Sequence, residues 1–175
     1  TQPSSQTWCA GGTATFNSGA SGGPAPTVQW QQKTNNGKKW GNIGGATSST
    51  LSFTTTTADN NKQYRAVWTN IAGSVNSNAA TLTVNAIPSA PSVSATNNCG
   101  SSLLTATGAG GATFSWSNGG TGNSITVAAG DYTVTQTVNG CTSGSSAIAT
   151  AVPKTIPGAP GVSGQNNCGS SLLTA

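Results

Sequence analysis

An all-β chain of tandem sandwich modules joined by short Pro-containing linkers is what this sequence predicts, and three observations predict it. The first is a repeat. Asn97-Asn98-Cys99-Gly100-Ser101-Ser102-Leu103-Leu104-Thr105-Ala106 returns letter for letter as Asn166 to Ala175, and Ile87-Pro88-Ser89-Ala90-Pro91-Ser92-Val93-Ser94 is echoed from Ile156 to Ser163. Cys168 follows Cys99 by 69 residues, and a sequence that restarts itself, linker included, is a repeat array. The second is alternation: apolar and polar residues alternate over strand-length runs between Gly and Asn turns, with no amphipathic helical stripe. The third is composition. Charged residues are 5% of the chain, against roughly a quarter in ordinary soluble domains, and Gly, Ser, Thr, Asn and Ala replace them. Low charge with much Gly would also fit disorder; the alternation decides for packed sheets.

The repeat divides the chain. Residues 1–85 form a first module, residues 86–152 a shorter second one, and residues 153–175 a linker with the first part of a third that repeats 87–106. The chain is thereby expected to be a segment of something longer.

In the first module, Thr13-Ala14-Thr15-Phe16 reads as a short strand followed by a Gly/Pro loop through Pro26. Thr27-Val28-Gln29-Trp30-Gln31 alternates and directs Val28 and Trp30 inward. Asn36-Gly37 supplies the residues of a tight hairpin turn leading to Lys39-Trp40 and Ile43. Thr50-Leu51-Ser52-Phe53-Thr54 places Leu51 and Phe53 inward, and Tyr64, Ala66 and Trp68 share one face of the next strand. Ala80-Thr81-Leu82-Thr83-Val84 closes the module.

A Trp on the strand at Trp30, a Leu-x-Phe strand, Asp59 five residues before Tyr64, and Leu82-x-Val84 resemble an immunoglobulin-like domain. The resemblance implies a corner marked by Asp59 and Tyr64, with the Tyr hydroxyl bonded back to the backbone. The family's two inter-sheet Cys positions fall at Phe16 and Ala66, so the module is expected to hold its sheets by packing around Trp30, without a central disulfide.

Asn85 to about Ser92 is a linker stiffened by Pro88 and Pro91. The second module offers strands at Leu103–Ala106, Ala112–Trp116, Ser124–Val127 and Asp131–Thr135, with turns at Asn118-Gly119 and Asn139-Gly140. Trp116 and Tyr132 stand in the same relative order as Trp30 and Tyr64, which makes it a shortened relative of the first. About 65 residues give such a module a thin core.

Cys99 precedes one strand and Cys141 follows another, and in a thin-cored module a Cys99–Cys141 disulfide is the natural pairing, with two buried thiols as the alternative. A disulfide implies an oxidising compartment and export. Cys168 is expected to pair beyond residue 175. Cys9 stands at a place similar to Cys99 and is read as a free thiol or as bonded outside this segment, with the free thiol favoured.

The chemistry available is narrow. The chain has no His, Glu or Met, and its only acids are Asp59 and Asp131. Neither a metal cluster nor a nucleophile with its base can be assembled from these, so no cofactor, no metal and no enzymatic activity are expected. Asp59 and Asp131 each precede a Tyr strand and are expected to accept local backbone hydrogen bonds in a corner. The net charge of +4 gathers in the first module on Lys33, Lys38, Lys39, Lys62 and Arg65, a solvated face rather than a dense nucleic-acid patch. No apolar run reaches membrane-crossing length.

Trp30 and Trp116 are assigned to the cores with Tyr64 and Tyr132, and Trp68 falls on the inward face. Trp8 and Trp40 are the exposed candidates. Trp40, beside Lys38 and Lys39 near a hairpin tip, is read either as a ligand-contact edge or as a ring packed over the sheet rim.

The string from Asn97 to Ala106, Trp116-Ser117-Asn118-Gly119 and Gly130-Asp131-Tyr132-Thr133-Val134 with Cys141 resemble repeats of large cell-surface proteins of the Bacteroidota. That resemblance implies a non-catalytic extracellular stalk or adhesin segment at the bacterial surface, exported by type IX secretion. Its partners would be neighbouring modules, surface polysaccharide or other cells, with no nucleic acid and no membrane insertion in this segment. The alternatives are a carbohydrate-binding accessory module of a secreted polysaccharide-degrading enzyme, or a subunit of a self-assembling filament.

Overall fold

The computed structural model describes residues 1–34, 37–159, 161–167 and 170–174, with backbone alone from residue 163 onward. Asn36 of the predicted Asn36-Gly37 turn and Cys168, with its predicted partner, lie outside the described residues. The chain divides into two compact units. One holds Thr1–Ala90 with Ala109–Ala112 and Gln136–Gly144; the other holds Pro91–Gly108, Thr113–Thr135 and the chain from Ser145 onward.

The strands of the first ninety residues are β1 (Gln6–Cys9), β2 (Thr13–Asn17), β3 (Thr27–Lys33), β4 (Gly41–Asn42), β5 (Thr50–Thr54), β6 (Lys62–Asn70), β7 (Gly73–Asn76) and β8 (Ala80–Asn85). One sheet runs β1-β8-β6-β3-β4 with β7 paired to β6; the other pairs β2 with β5. The inward residues of both sheets meet in one core of Phe16, Val28, Trp30, Leu51, Tyr64, Ala66, Leu82 and Val84, with Ala14 and Ala80. This is an immunoglobulin-like sandwich. At the family's two cysteine positions, Phe16 and Ala66 are both fully buried. The Phe16 ring lies 4.9 Å from Tyr64, 6.4 Å from Phe53 and 6.5 Å from Trp30, centroid to centroid. Ring packing thus occupies the space a disulfide would cross. Trp30 also donates its indole N–H to the Ser48 carbonyl at 2.8 Å, so its burial leaves no unpaired donor.

The remaining strands are β9 (Ser92–Asn97), β10 (Ser102–Thr107), β11 (Thr113–Trp116), β12 (Ser124–Val127), β13 (Gly130–Tyr132), β14 (Val134–Val138), β15 (Cys141–Thr142), β16 (Ala149–Ala151), β17 (Ser163–Asn167) and β18 (Ser170–Thr174). They form sheets ordered β12-β10-β9 and β11-β14-β15, with the pairs β13-β16 and β17-β18. Leu104, Ala106, Trp116, Val127, Val134 and Ala151 make the second core. Leu104 is fully buried while its neighbour Leu103 turns outward, so only one of the two leucines belongs to that core. The β9–β10 register pairs Ser94 with Thr105 and Asn97 with Ser102; β17–β18 pairs Ser163 with Thr174 and Asn166 with Ser171. Each partner is displaced by the same 69 residues, so the repeat holds at the level of hydrogen-bonded pairs.

Three expectations are corrected. The disulfide joins Cys9 to Cys141, not Cys99 to Cys141, and Cys99 is an exposed free thiol. Loop length could not have chosen between them, because closure entropy grows only logarithmically with separation. Local geometry does choose. Asn139 and Gly140 both take positive φ, 50° and 78°, in the two-residue turn between β14 and β15, and this presents Cys141 opposite Val138. The Cys141 Cα is then 5.7 Å from that of Cys9, within disulfide range. Cys9 is held by its own turn: the buried Thr55 hydroxyl lies 3.0 Å from the carbonyls of Cys9 and Gly12. The second correction concerns the corner. Among the described residues no backbone carbonyl accepts from the Tyr64 hydroxyl, whereas Tyr132 donates to Ala128 at 3.3 Å. The bond expected of Tyr64 belongs to Tyr132. The third is Asp131, which accepts from the Thr150 hydroxyl at 2.6 Å instead of a backbone amide.

Candidate ligand-contact face

Strand pairing determines what can meet on the outer face of the larger sheet. Side chains alternate along a strand, so Gln29, Gln31 and Lys33 of β3 point opposite to Val28 and Trp30. The register sets Gln31 against Arg65 and Lys33 against Gln63. Arg65 Nε donates to Gln31 Oε1 at 2.9 Å, and Gln31 Nε2 passes the chain on to Asn42 Oδ1 at 2.9 Å. Gln29 Nε2 anchors the following segment through the Ile43 carbonyl at 2.8 Å. The result is a row of amides leading to the edge strand β4.

Trp40 lies just before that edge. The Arg65 guanidinium carbon sits 4.3 Å from its ring centroid and the Lys33 Nζ 5.1 Å. Cations at that range are attracted by the ring quadrupole, by roughly 0.5–1 kcal/mol each where water has access. Trp40 is half-buried, with these two cations against its ring. Lys38 and Lys39 are exposed, and the structure does not bring them onto the ring. Sequence proximity suggested those two lysines; Lys33 and Arg65 take their place because both stand on the outward faces of paired strands. Trp8 is 41% exposed and donates its indole N–H to Gln6 at 2.8 Å. Trp68 packs against the core and donates to Ser18 at 2.9 Å.

A separate open depression of about 420 Å³ is lined by Gln32, Ile43, Leu51, Phe53, Asp59 and Tyr64. Its ionisable groups are tied up locally. Asp59 Oδ2 accepts the Thr56 amide at 2.9 Å and hydroxyl at 2.7 Å, and Oδ1 pairs with Lys62 at 2.8 Å. Partial burial raises the Asp59 carboxyl, but the hydrogen bonds from Lys62 and Thr56, with the Lys62 charge, outweigh it and leave its pKa below the ordinary value. Burial, aided by the Asp59 charge, raises the Tyr64 phenol well above its ordinary range. A carboxylate held ionised beside a phenol held neutral provides no proton-transfer pair near neutrality. Among the described residues no group of three His, Cys, Asp or Glu could hold a metal.

The second core's aromatic residues lie where alternation directs them. Trp116 is buried with its indole N–H on the Gly122 carbonyl at 2.9 Å, and Tyr132 packs at the core's margin. The sequence reading missed Gln136. It is almost fully buried, accepts the Ala109 amide at 2.8 Å and donates to the Ser89 carbonyl at 2.7 Å. One signal could have found it: Val134, Gln136 and Val138 share a face by alternation, and an amide at such a position needs partners.

Residues 1–86 match the model of the family described as "Domain of unknown function (DUF8696)". Endoglucanase C of Cellulomonas fimi is 47% identical over 83 residues, which are 47% of this chain and 7% of that protein. A chain from the crystal structure of a mouse coronavirus receptor-binding domain with its murine receptor superposes with a TM-score of 0.51 at 12% identity. That match covers 85% of this chain and 96% of that one. A crystal structure of titin domains gives 0.50 at 16% identity, over 84% and 61%. Both structural likenesses are of fold. They extend the immunoglobulin-like assignment beyond the first module, while sequence identity joins a stretch of this chain to a small part of a much longer enzyme.

Proposed function

We propose that this chain is a non-catalytic segment of a larger exported protein, a pair of immunoglobulin-like repeats serving a polysaccharide-degrading enzyme as accessory modules. The observation that carries this reading is the 47% identity to part of an endoglucanase, an enzyme named for acting on a glucan. The residue inventory agrees: glycoside hydrolysis takes two carboxyl groups across one bond, and the two acids here are each engaged by local partners. The disulfide favours an oxidising compartment, and with it an extracellular place.

Within that role the outer face at Trp40, with Arg65, Gln31 and Asn42 beside it, is the surface for a glycan. An indole plane offers a stacking platform and the amides offer donors and acceptors for hydroxyls. The test is retention of the chain on insoluble cellulose and xylan, compared with Trp40→Ala. Retention that falls at least tenfold in the variant supports glycan contact; equal retention, or none by either protein, assigns the modules to spacing alone.

A second reading, a surface stalk or adhesin, is favoured by the repeat, which persists in the β17–β18 register. Modules joined by Pro-containing linkers add length one repeat at a time. Neighbouring modules, surface polysaccharide or other cells would be its partners, and self-assembly into a filament its extreme form. The Bacteroidota lineage and type IX export rest on the repeat motif alone, and the endoglucanase that shares 47% identity comes from Cellulomonas fimi.

A further inference from the structure

The environment of Cys9 is rebuilt around Cys99, and the correspondence specifies a partner for the free thiol. Cys9 stands in parallel register with Asn85, and the Asn85 carbonyl accepts the amide of the next residue, Ala10, at 2.9 Å. Cys99 forms a parallel bridge with Lys154, and the Lys154 carbonyl accepts the amide of the next residue, Gly100, at 2.9 Å. Lys154 is the residue 69 places after Asn85, one full repeat. Asn85 in turn contacts the hairpin that carries Cys141, donating its side-chain amide to the Asn139 carbonyl at 3.0 Å. Cysteine, linker residue and hydrogen bond recur together; only the hairpin's cysteine is missing from the second set. Lys154 differs from Asn85 in its side chain, yet an ammonium can donate to a carbonyl as the amide does.

We propose that Cys99 forms a disulfide with the cysteine that follows the Asn-Gly hairpin turn of the next repeat, as Cys9 does with Cys141. Disulfides then run from each repeat's pre-strand cysteine to the hairpin of the repeat after it, and none closes within a repeat. Such a ladder links successive modules covalently, where a Cys99–Cys141 pair would have clamped one module alone. In the bond-forming step the Cys99 thiolate and the hairpin thiol exchange with a small-molecule disulfide such as oxidised glutathione. The two thiols lose two protons and two electrons, and the glutathione leaves as two thiols.

The chain itself supplies the test. A copy of residues 107–155 appended after Ala175 completes the repeat that opens at Ile156 and brings in one hairpin cysteine. After oxidative refolding, peptide mapping without reduction is expected to find Cys9–Cys141 and a bond from Cys99 to the appended cysteine, with Cys168 the single alkylated thiol. A bond from Cys168 to the appended cysteine, or a Cys99 thiol left free, overturns the proposal. So does a covalent dimer on a non-reducing gel, which would show that a second copy provides the hairpin. A second variant needs no extension. In Cys9→Ser the Cys141 thiol is released while Cys99 is still available. Three free thiols in that protein, Cys99, Cys141 and Cys168, agree with the ladder, and a Cys99–Cys141 bond, which leaves Cys168 alone free, refutes it.

Discussion

The two cores solve the same problem with different material. The first stacks Phe16, Trp30 and Tyr64 between its sheets with Phe53 against them; the second buries one ring, Trp116, among Leu104, Val127, Val134 and small alanines, with Phe114 and Tyr132 packed at its margin. A larger ring buries more area per residue, so the first can omit the inter-sheet disulfide that antibody-type immunoglobulin domains carry. The second lies in a module with fewer residues to contribute. What the two share is a backbone device. In the first, the Ser77 amide donates to the Ala66 carbonyl while its hydroxyl accepts the Ala66 amide at 2.9 Å. In the second, Ser146 does the same to Val134, its hydroxyl accepting the amide at 3.1 Å. Ser143 repeats it on Gln136 at 3.0 Å, within the Gln136–Gly144 stretch of the first compact unit. A serine hydroxyl thus replaces the ladder carbonyl that a regular strand would supply, and passes its own hydrogen to the next carbonyl. The difference between the modules therefore lies in side chains, not in how the backbone is satisfied.

The sharpest way to break the comparison is Trp30→Ala. If the stacked rings substitute for a disulfide, their removal is expected to cost on the order of 4 kcal/mol, as for other buried Trp truncations. Urea unfolding followed by circular dichroism measures it; a loss below about 2 kcal/mol would mean that the first core does not depend on this ring. Next in size is Cys9→Ser. Its bond spans 132 residues, and losing it is expected to cost roughly 3 kcal/mol, with most of the loss reproduced by reducing the wild type. Removal of Cys99 by the matching Cys99→Ser change is expected to leave stability unaltered, since that thiol is exposed and unbonded in this chain. The shared device is tested by Ser77→Ala and Ser146→Ala together. Each leaves an amide of a buried residue without its acceptor, so both are expected to lose about 1–2 kcal/mol. A large inequality between them would show that the backbone solution is not equivalent in the two cores.

How much of this was legible beforehand depended on how far apart the interacting residues lie. Trp30, Leu51, Tyr64 and Trp116 announced their burial through alternation, because a strand's faces are written locally. Phe16 and Ala66 could be identified at the family's cysteine positions for the same reason. The strands β1 and β7 went unread: β1 is short and pairs in parallel with a strand more than seventy residues away, and β7 is a four-residue run of Gly, Ser, Val and Asn without alternation. At the contact face, Trp40 was legible as a candidate but its companions were not. Lys38 and Lys39 adjoin it in sequence, while Arg65 reaches it only because β3 and β6 pair Gln31 with Arg65. The disulfide failed similarly. Cys99 and Cys141 satisfy every rule of spacing, and only the register of β1 on β8 and the Asn139-Gly140 turn bring Cys9 to Cys141 instead.

The smallest expected effect separates the modules electrostatically. Asp59 is paired with Lys62 at 2.8 Å and capped by Thr56, and its pKa is depressed in the folded chain. A depressed carboxyl binds fewer protons when folded than when unfolded over the interval between its two pKa values. Its contribution is therefore present above the ordinary Asp value of about 3.9 and is lost as pH falls through the folded-state value. Because the pair is near the surface, that contribution is expected to stay below about 1 kcal/mol and to shrink in high salt. Urea midpoints at pH 7 and pH 2.5 for the wild type and Asp59→Asn measure it. The wild type is expected to lose more stability than the variant on acidification. If both fall equally, the Asp59 corner is held by Thr56 geometry alone, and charge plays no part in distinguishing the first module from the second.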